Sequence, residues 1–170
     1  MKDSNQFMKP GQIRLTGLLY LLVIICAGLS QGYIRGTIIV SGDALATANN
    51  ISQNLGFFRF GITLDLIAFL LDAIISILFY QMFRPYGKTL ARISSALRLL
   101  AHPAIASLNL LNHFMAYQVL EGADYMSVFS PEQLNALSLL FTDAHKYGYI
   151  LSGAFFGVHS LLLGILIYRT

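Results

Sequence analysis

Residues 61–80 read GITLDLIAFLLDAIISILFY. Nearly every position suits hydrocarbon, yet Asp65 and Asp72 stand inside the run. A helix of roughly 20 mostly apolar residues spans a bilayer. One aspartate near its centre costs about 2.5–3.5 kcal/mol on an insertion scale, and each Leu, Ile or Phe offsets roughly 0.3–0.6 kcal/mol of that. The stretch therefore reads as a membrane span that tolerates two carboxylates. Residues seven positions apart return to nearly the same helix face, so Asp65 and Asp72 point the same way. Ionisable groups inside a membrane are rare and by default mark a functional site.

The rest of the chain agrees with a membrane setting. Its 170 residues are 56% hydrophobic and 11% charged, with a mean hydropathy of +0.65, whereas an average soluble domain carries about 25% charge. Residues 15–34, 99–120 and 147–168 contain no Asp, Glu, Lys or Arg. The fold class expected is all-α: a polytopic membrane helix bundle with four transmembrane helices, at about 13–34, 58–80, 95–119 and 145–168, and two short outer-surface helices. Residues 1–170 form one membrane domain, with no internal repeat and no linker rich in Gly and Ser.

Charge sets the orientation. The N-terminal segment carries Lys2, Lys9 and Arg14 against Asp3, and the segment between spans two and three carries Arg84, Lys88, Arg92 and Arg98 with no acid. Glu121, Asp124, Glu132 and Asp143 outnumber Lys146 between spans three and four. Positive charge marks the cytoplasmic side, so both termini are expected inside, with 35–57 and 121–142 outside. The basic residues are few and border spans, which excludes a nucleic-acid partner; the bilayer itself is the partner. The single cysteine, Cys26, lies in span one and reads as an inert thiol. The N-terminus reads as an uncleaved first span, because no small-x-small cleavage site follows Arg14.

Local signals refine the spans. Gly28, Gly32 and Gly36 recur every four residues, a spacing that lets helix backbones approach and that offers a face for a homo-oligomer. Ser41-Gly42-Asp43 reads as a turn into a short surface helix over 44–54. Asn50-Ile51-Ser52 matches a glycosylation acceptor. Arg84-Pro85-Tyr86-Gly87 is a basic turn. A third helix over 88–119 would measure roughly 48 Å, so its first turns belong in the interface, and Pro103 predicts a kink. Ser130-Pro131-Glu132-Gln133 is a capping-box start, with 131–142 expected as an amphipathic lead-in at the outer surface.

Polar residues form stripes. Arg98, His102, Asn109, Asn112 and His113 fall within an arc of about 100° on span three. His145, Tyr149, Ser152, Phe156 and His159 line one face of span four, beside a small-residue stripe of Gly153, Gly157, Ser160 and Gly164. Counting along antiparallel spans puts Asp65 level with Asn109 and His113, and Asp72 level with His102 and within reach of Arg98. Arg35 and Arg59 border the outer end and are expected to close the network, with Asp43, Asp143 and His145 at the same rim. His145 reads as a solvated or capping group and His159 as a satisfied core histidine.

Three function classes follow. The Asp/His/Arg cluster suits proton transfer or binding of a small polar ligand, since burial and a nearby Arg act oppositely on a carboxyl group. The same groups serve equally as packing glue between helices, at about 0.6 kcal/mol per hydrogen bond. Third, His102 and His113 facing His159 and His145 suit a haem between helices, or a quinone, although spacings of eleven and fourteen residues match poorly. No phosphate-binding loop, G-x-G-x-x-G, H-E-x-x-H or G-x-S-x-G is present, so the sequence leans away from an enzyme. Asp143 and His145 alone are too few for a metal site.

A resemblance becomes specific in Arg35-Gly36, Ile39-Val40-Ser41-Gly42-Asp43-Ala44, Ala46-Thr47-Ala48-Asn49, Phe58-Arg59-Phe60-Gly61 and Leu64-Asp65-Leu66. It continues through Leu78-Phe79-Tyr80, Arg84-Pro85, Leu108-Asn109-Leu110-Leu111-Asn112, Ser130-Pro131-Glu132-Gln133, Asp143-Ala144-His145-Lys146-Tyr147-Gly148-Tyr149 and Phe155-Phe156-Gly157-Val158-His159. From about residue 11 onward the chain resembles a bacterial integral-membrane family catalogued as domain of unknown function 4386. The resemblance implies a multi-pass protein of the bacterial cytoplasmic membrane and carries over no catalytic residue. Family members typically continue past the Tyr168-Arg169 position into further hydrophobic sequence. This chain stops at Thr170, so the resemblance implies a shorter or truncated member with one flank exposed.

Overall fold

The computed structural model describes residues 8–170, and every described element is helical. Lys2 and Asp3, used above for orientation, lie outside the described residues. Helix α1 (Pro10–Ala27) passes through a π-helical segment, Gly28–Ile34, into the short α2 (Arg35–Ile38). Helix α3 (Ala44–Gln53) precedes the long α4 (Leu55–Leu99). A second π-helical segment, Leu100–Ala106, leads into α5 (Ser107–Gln118), and α6 (Pro131–Tyr168) completes the chain.

Three helical stretches are long and apolar enough to cross a membrane: Pro10–Ile38, Leu55–Gln118 and Pro131–Tyr168. The middle one is not straight. Gly87 leaves helical geometry with φ 167° and ψ 84°, and Pro85 just before it has no N–H to give. Across this break the two limbs of α4 lie side by side. Ser76 Oγ donates to the Ser95 carbonyl at 2.6 Å, and Ser95 Oγ returns a bond to the Ser76 carbonyl. The reversal is tight: a Cβ on Gly87 would stand 3.3 Å from Leu166 and 3.4 Å from Arg169. The C-terminal end of α6 is therefore packed onto the turn.

The short signals at helix starts operate as their chemistry requires. Asp43 caps α3 by accepting from the Ala46 N–H at 2.9 Å. At α6 the Ser130 N–H donates to Gln133 Oε1 at 2.8 Å and the Gln133 N–H donates to Ser130 Oγ at 3.3 Å, a reciprocal pair that satisfies two otherwise unpaired donors. That helix then runs unbroken to Tyr168. The expected separate lead-in over 131–142 is a correction: Ser138 and Thr142 are buried, and Ser138 Oγ donates to the Ala116 carbonyl at 2.7 Å, so this part packs within the bundle as one helix with the rest. At Pro103 the expected kink takes the form of π-helix, whose longer hydrogen-bonded turn absorbs the missing donor.

Apolar clusters alternate with polar layers along α4. One cluster joins Ile34, Ile38, Ile51, Phe58 and Leu64 with Ala116 and Tyr117. The next contains Val23, Ala68, Phe69, Ile75, Ala106 and Leu110. The third, at the turn, contains Phe83, Ala91 and Leu166. Asp65 lies between the first and second clusters, and Asp72 interrupts the second. Within this chain, Gly28, Gly32 and Gly36 make no close approach: nothing stands within 4 Å of a Cβ on any of them. Helix α4 is instead approached closely at Gly61, where a Cβ would meet Ile34 at 3.1 Å and where Ser30 Oγ donates to the Gly61 carbonyl at 2.8 Å.

Candidate functional site

Two buried clusters form around the two aspartates. In the Asp65 cluster the carboxylate pairs with Arg35, and Gln31 Nε2 donates to both its oxygens at 3.2 Å. Arg35 also donates from Nε to His113 Nδ1 at 3.0 Å. His113 therefore carries its proton on Nε2 when neutral, and its ring stacks on Phe58 at 4.1 Å. Both Gln31 and Arg35 owe their aim to the first π-helical segment. Its wider turn holds one extra residue, which rotates the side chains that follow toward α4.

In the Asp72 cluster, Arg98 Nη2 donates to Asp72 Oδ1 and His102 Nδ1 meets Asp72 Oδ2, each at 2.5 Å. Arg98 Nη1 lies 3.1 Å from His159 Nε2, and His159 Nδ1 lies 2.9 Å from the Ser94 carbonyl. A carbonyl only accepts, so His159 carries its proton on Nδ1 and its Nε2 accepts from Arg98. Arg98 is fully buried and its guanidinium sits over Tyr20, Phe79 and Phe156, with ring centroids at 4.8, 5.4 and 5.1 Å. His102 comes from the second π-helical segment, as Arg35 follows the first.

The sequence candidates distribute unevenly over this geometry. Asp72, Arg98 and His102 come together, and so do Asp65, Arg35 and His113. Asn109 goes elsewhere: its Nδ2 donates to the His145 carbonyl at 2.7 Å, while Asn112 donates to its Oδ1 at 3.0 Å. Arg59 does not close the network. It pairs with Glu121 at the surface and covers Tyr117. Asp43 is occupied as the cap of α3.

His145 requires a correction, being 2% exposed rather than solvated. A close approach of two helices puts it there. The Asn109 side chain lies so near α6 that a Cβ on Gly148 would stand 2.2 Å from its Oδ1. His145 Nδ1 lies 3.1 Å from the Asn109 carbonyl. The haem expectation does not fit this geometry either. His113 and His145 meet edge to face with centroids 4.8 Å apart, which leaves no width for a porphyrin between them, and Arg98 occupies His159 Nε2.

A cleft opens beside the Asp65 cluster. Its volume is about 380 Å³, and its walls include Arg35, Gly36 and Ile39 from one side and His145, Tyr149 and Ile150 from α6. Among the described residues three buried side-chain nitrogens have no hydrogen-bond partner: Arg35 Nη1, Arg98 Nε and His145 Nε2. Two of the three belong to walls of this cleft. Native structures pair nearly all buried polar groups, so residues with an unpaired nitrogen beside a cavity are uncommon. Asp143 and Lys146 also line it. Tyr149 contacts histidines of both regions, with ring centroids 6.2 Å from His145 and 6.0 Å from His102.

The family model described as a domain of unknown function, DUF4386, matches residues 15–170. The chain belongs to this family. No curated protein and no solved structure matches it. Membership of DUF4386 assigns no activity, so the roles of these residues rest on their geometry. Gln31 and Ser94 escaped the sequence reading because single polar residues next to apolar runs carry no periodic signal.

Proposed function

We propose that this DUF4386 member is a four-span protein of the bacterial cytoplasmic membrane that binds a small ligand in the cleft beside the Asp65 cluster. Counting Leu55–Gln118 as two crossings that meet at Gly87 is supported by length. As a straight rod its 64 residues would run about 96 Å, against a hydrocarbon core of about 30 Å. The charges support cytoplasmic termini: Arg84, Lys88, Arg92 and Arg169 gather near the Gly87 reversal, and Glu121, Glu132 and Asp143 lie toward the other end.

The observation that carries the ligand reading is the 380 Å³ cleft itself, lined by Arg35, His145 and Tyr149, of which Arg35 and His145 each hold a buried nitrogen without a hydrogen-bond partner. Small-molecule sites are mostly apolar concavities of about 300–1,000 Å³ with a few converging polar groups. In this reading the Asp72 cluster is a structural clamp. A second reading, a proton path from the cleft toward Asp72, is favoured by the contacts of Tyr149 with both His145 and His102.

Native mass spectrometry of the gently extracted protein tests the ligand reading. Gly36 lines the cleft with open space around it, so Gly36→Trp fills the cavity without displacing a packed side chain. The expected result is a reproducible added mass on the wild type that Gly36→Trp lacks. Identical bare masses for both proteins contradict the proposal.

A further inference from the structure

The Gly87 reversal carries a cationic cleft, far along α4 from the Asp65 cluster. Arg84 and Lys88 line it together with Tyr80 and Pro85, around a volume of about 290 Å³. A second cleft of about 290 Å³ shares Tyr80 with it and is lined by Ile77, Arg92, Ser95, Ala96 and Leu99. Helix spacing joins the two into one stripe. On the first limb of α4, Ile77, Tyr80 and Arg84 follow at intervals of three and four, which stacks them on one face. On the second limb Lys88, Arg92, Ser95 and Leu99 follow at four, three and four. The bonds between Ser76 and Ser95 hold the limbs side by side along it. The stripe is cationic at the turn and ends, away from it, at Ile77 and Leu99.

Its charge is uncompensated. Residues 73–120 contain no Asp or Glu. Arg84, Lys88 and Arg92 are exposed, and none forms an ion pair with a described residue. Arg98, the remaining cation of that segment, is paired with Asp72. Ile77 is 54% exposed on a membrane-capable stretch, so the apolar end of the stripe meets hydrocarbon when Leu55–Gln118 crosses the membrane twice. The site rests on that two-crossing reading and is independent of the Arg35 cleft.

We propose that this stripe binds one anionic phospholipid. Its phosphodiester accepts from Arg84 and Lys88, with Arg92 one helical turn deeper, and an acyl chain runs past Tyr80 toward Ile77 and Leu99. Tyrosine suits that boundary, having an apolar ring and a polar tip. Basic pockets between membrane helices select lipid head groups in this way. A phosphate without a tail meets only the cationic half of the stripe, whereas a lipid matches its whole length.

The test is native mass spectrometry of the full chain titrated with phosphatidylglycerol, with phosphatidylcholine of the same acyl chains, and with glycerol phosphate. One phosphatidylglycerol is expected to bind about tenfold more tightly than phosphatidylcholine. Arg84→Gln/Lys88→Gln is expected to remove that preference. Lys9→Gln/Arg14→Gln removes the same charge from another segment and is expected to keep it. Ala96→Trp, at an exposed position of the apolar half, retains every cation and is expected to weaken phosphatidylglycerol binding about tenfold. Equal binding of the two lipids, or loss of the preference in Lys9→Gln/Arg14→Gln as well, overturns the site. Phosphatidylglycerol binding unchanged by Ala96→Trp, or displaced by an equal concentration of glycerol phosphate, overturns the lipid as its occupant. Labelling of Thr89→Cys by a water-soluble maleimide, in a Cys26→Ala chain in membranes, reads the turn independently. Labelling is expected, and with it a failed lipid preference removes the lipid site alone. No labelling puts the turn in hydrocarbon, and the two-crossing reading falls together with the site.

Discussion

Asp65 and Asp72 stand on one face of one helix, each paired with a buried arginine; His102 meets Asp72 directly, whereas His113 joins the other pair through Arg35. The surroundings of the two arginines differ. Arg98 is walled by Tyr20, Phe79 and Phe156, so its guanidinium is bordered by ring π-clouds. Arg35 has Phe58 only indirectly, through His113, and lines a cleft. The same ion pair is closed in by aromatic residues at Asp72, whereas at Asp65 glycine and isoleucine leave space beside it.

The comparison breaks most visibly at Asp72. Asp72→Leu strands Arg98 in a dry interior, and loss of one partner of a buried pair costs about 3–5 kcal/mol. Thermal unfolding in detergent should show that loss, with most of it recovered in the double variant Asp72→Leu/Arg98→Leu. A single variant as stable as the double would mean that the cluster is no clamp. Next in size is Gly148→Ala. Its Cβ would meet the Asn109 amide at 2.2 Å, and overpacking of this kind costs about 1–3 kcal/mol. The same unfolding assay reads it, and an unperturbed Tm would show that α5 and α6 separate easily at that point.

Smaller effects sharpen the contrast between interior and surface. Ser95→Ala removes one of two reciprocal bonds that tie the limbs of α4, worth about 0.6 kcal/mol in membrane helices; a much larger shift in unfolding would make this tie, rather than Gly87, the determinant of the reversal. Arg59→Ala breaks an ion pair whose side chains are 49% and 35% exposed. Its cost should be about 0.5 kcal/mol or less and should vanish at high salt. A salt-independent loss would show that its contact with Tyr117 matters more than its charge.

The architecture was legible wherever a signal is local or periodic. Uncharged runs marked the helices, Ser130 and Gln133 marked a start, and depth counting along antiparallel segments paired Asp72 with Arg98 and His102. Three features were not legible for physical reasons. The π-helical segments shift the face of every residue after them, so ideal 100° spacing misjudged which partners Asn109 and Asp65 would find. His145 was read as solvated because distance along the chain from the span centre does not report the approach of Asn109 onto Gly148. The cleft itself is a property of what fails to pack, and no residue pattern encodes it.

If the cleft at Arg35 and His145 is open while the Asp72 cluster is closed, filling the cleft should reach only one of them. Nitrogen-15 NMR of the four histidine side chains reads this directly, in wild type and Gly36→Trp in nanodiscs. The His145 ring resonances are expected to move, and those of His159, held between Arg98 and Ser94, to stay in place. A shift at His159, or none at His145, would contradict this contrast.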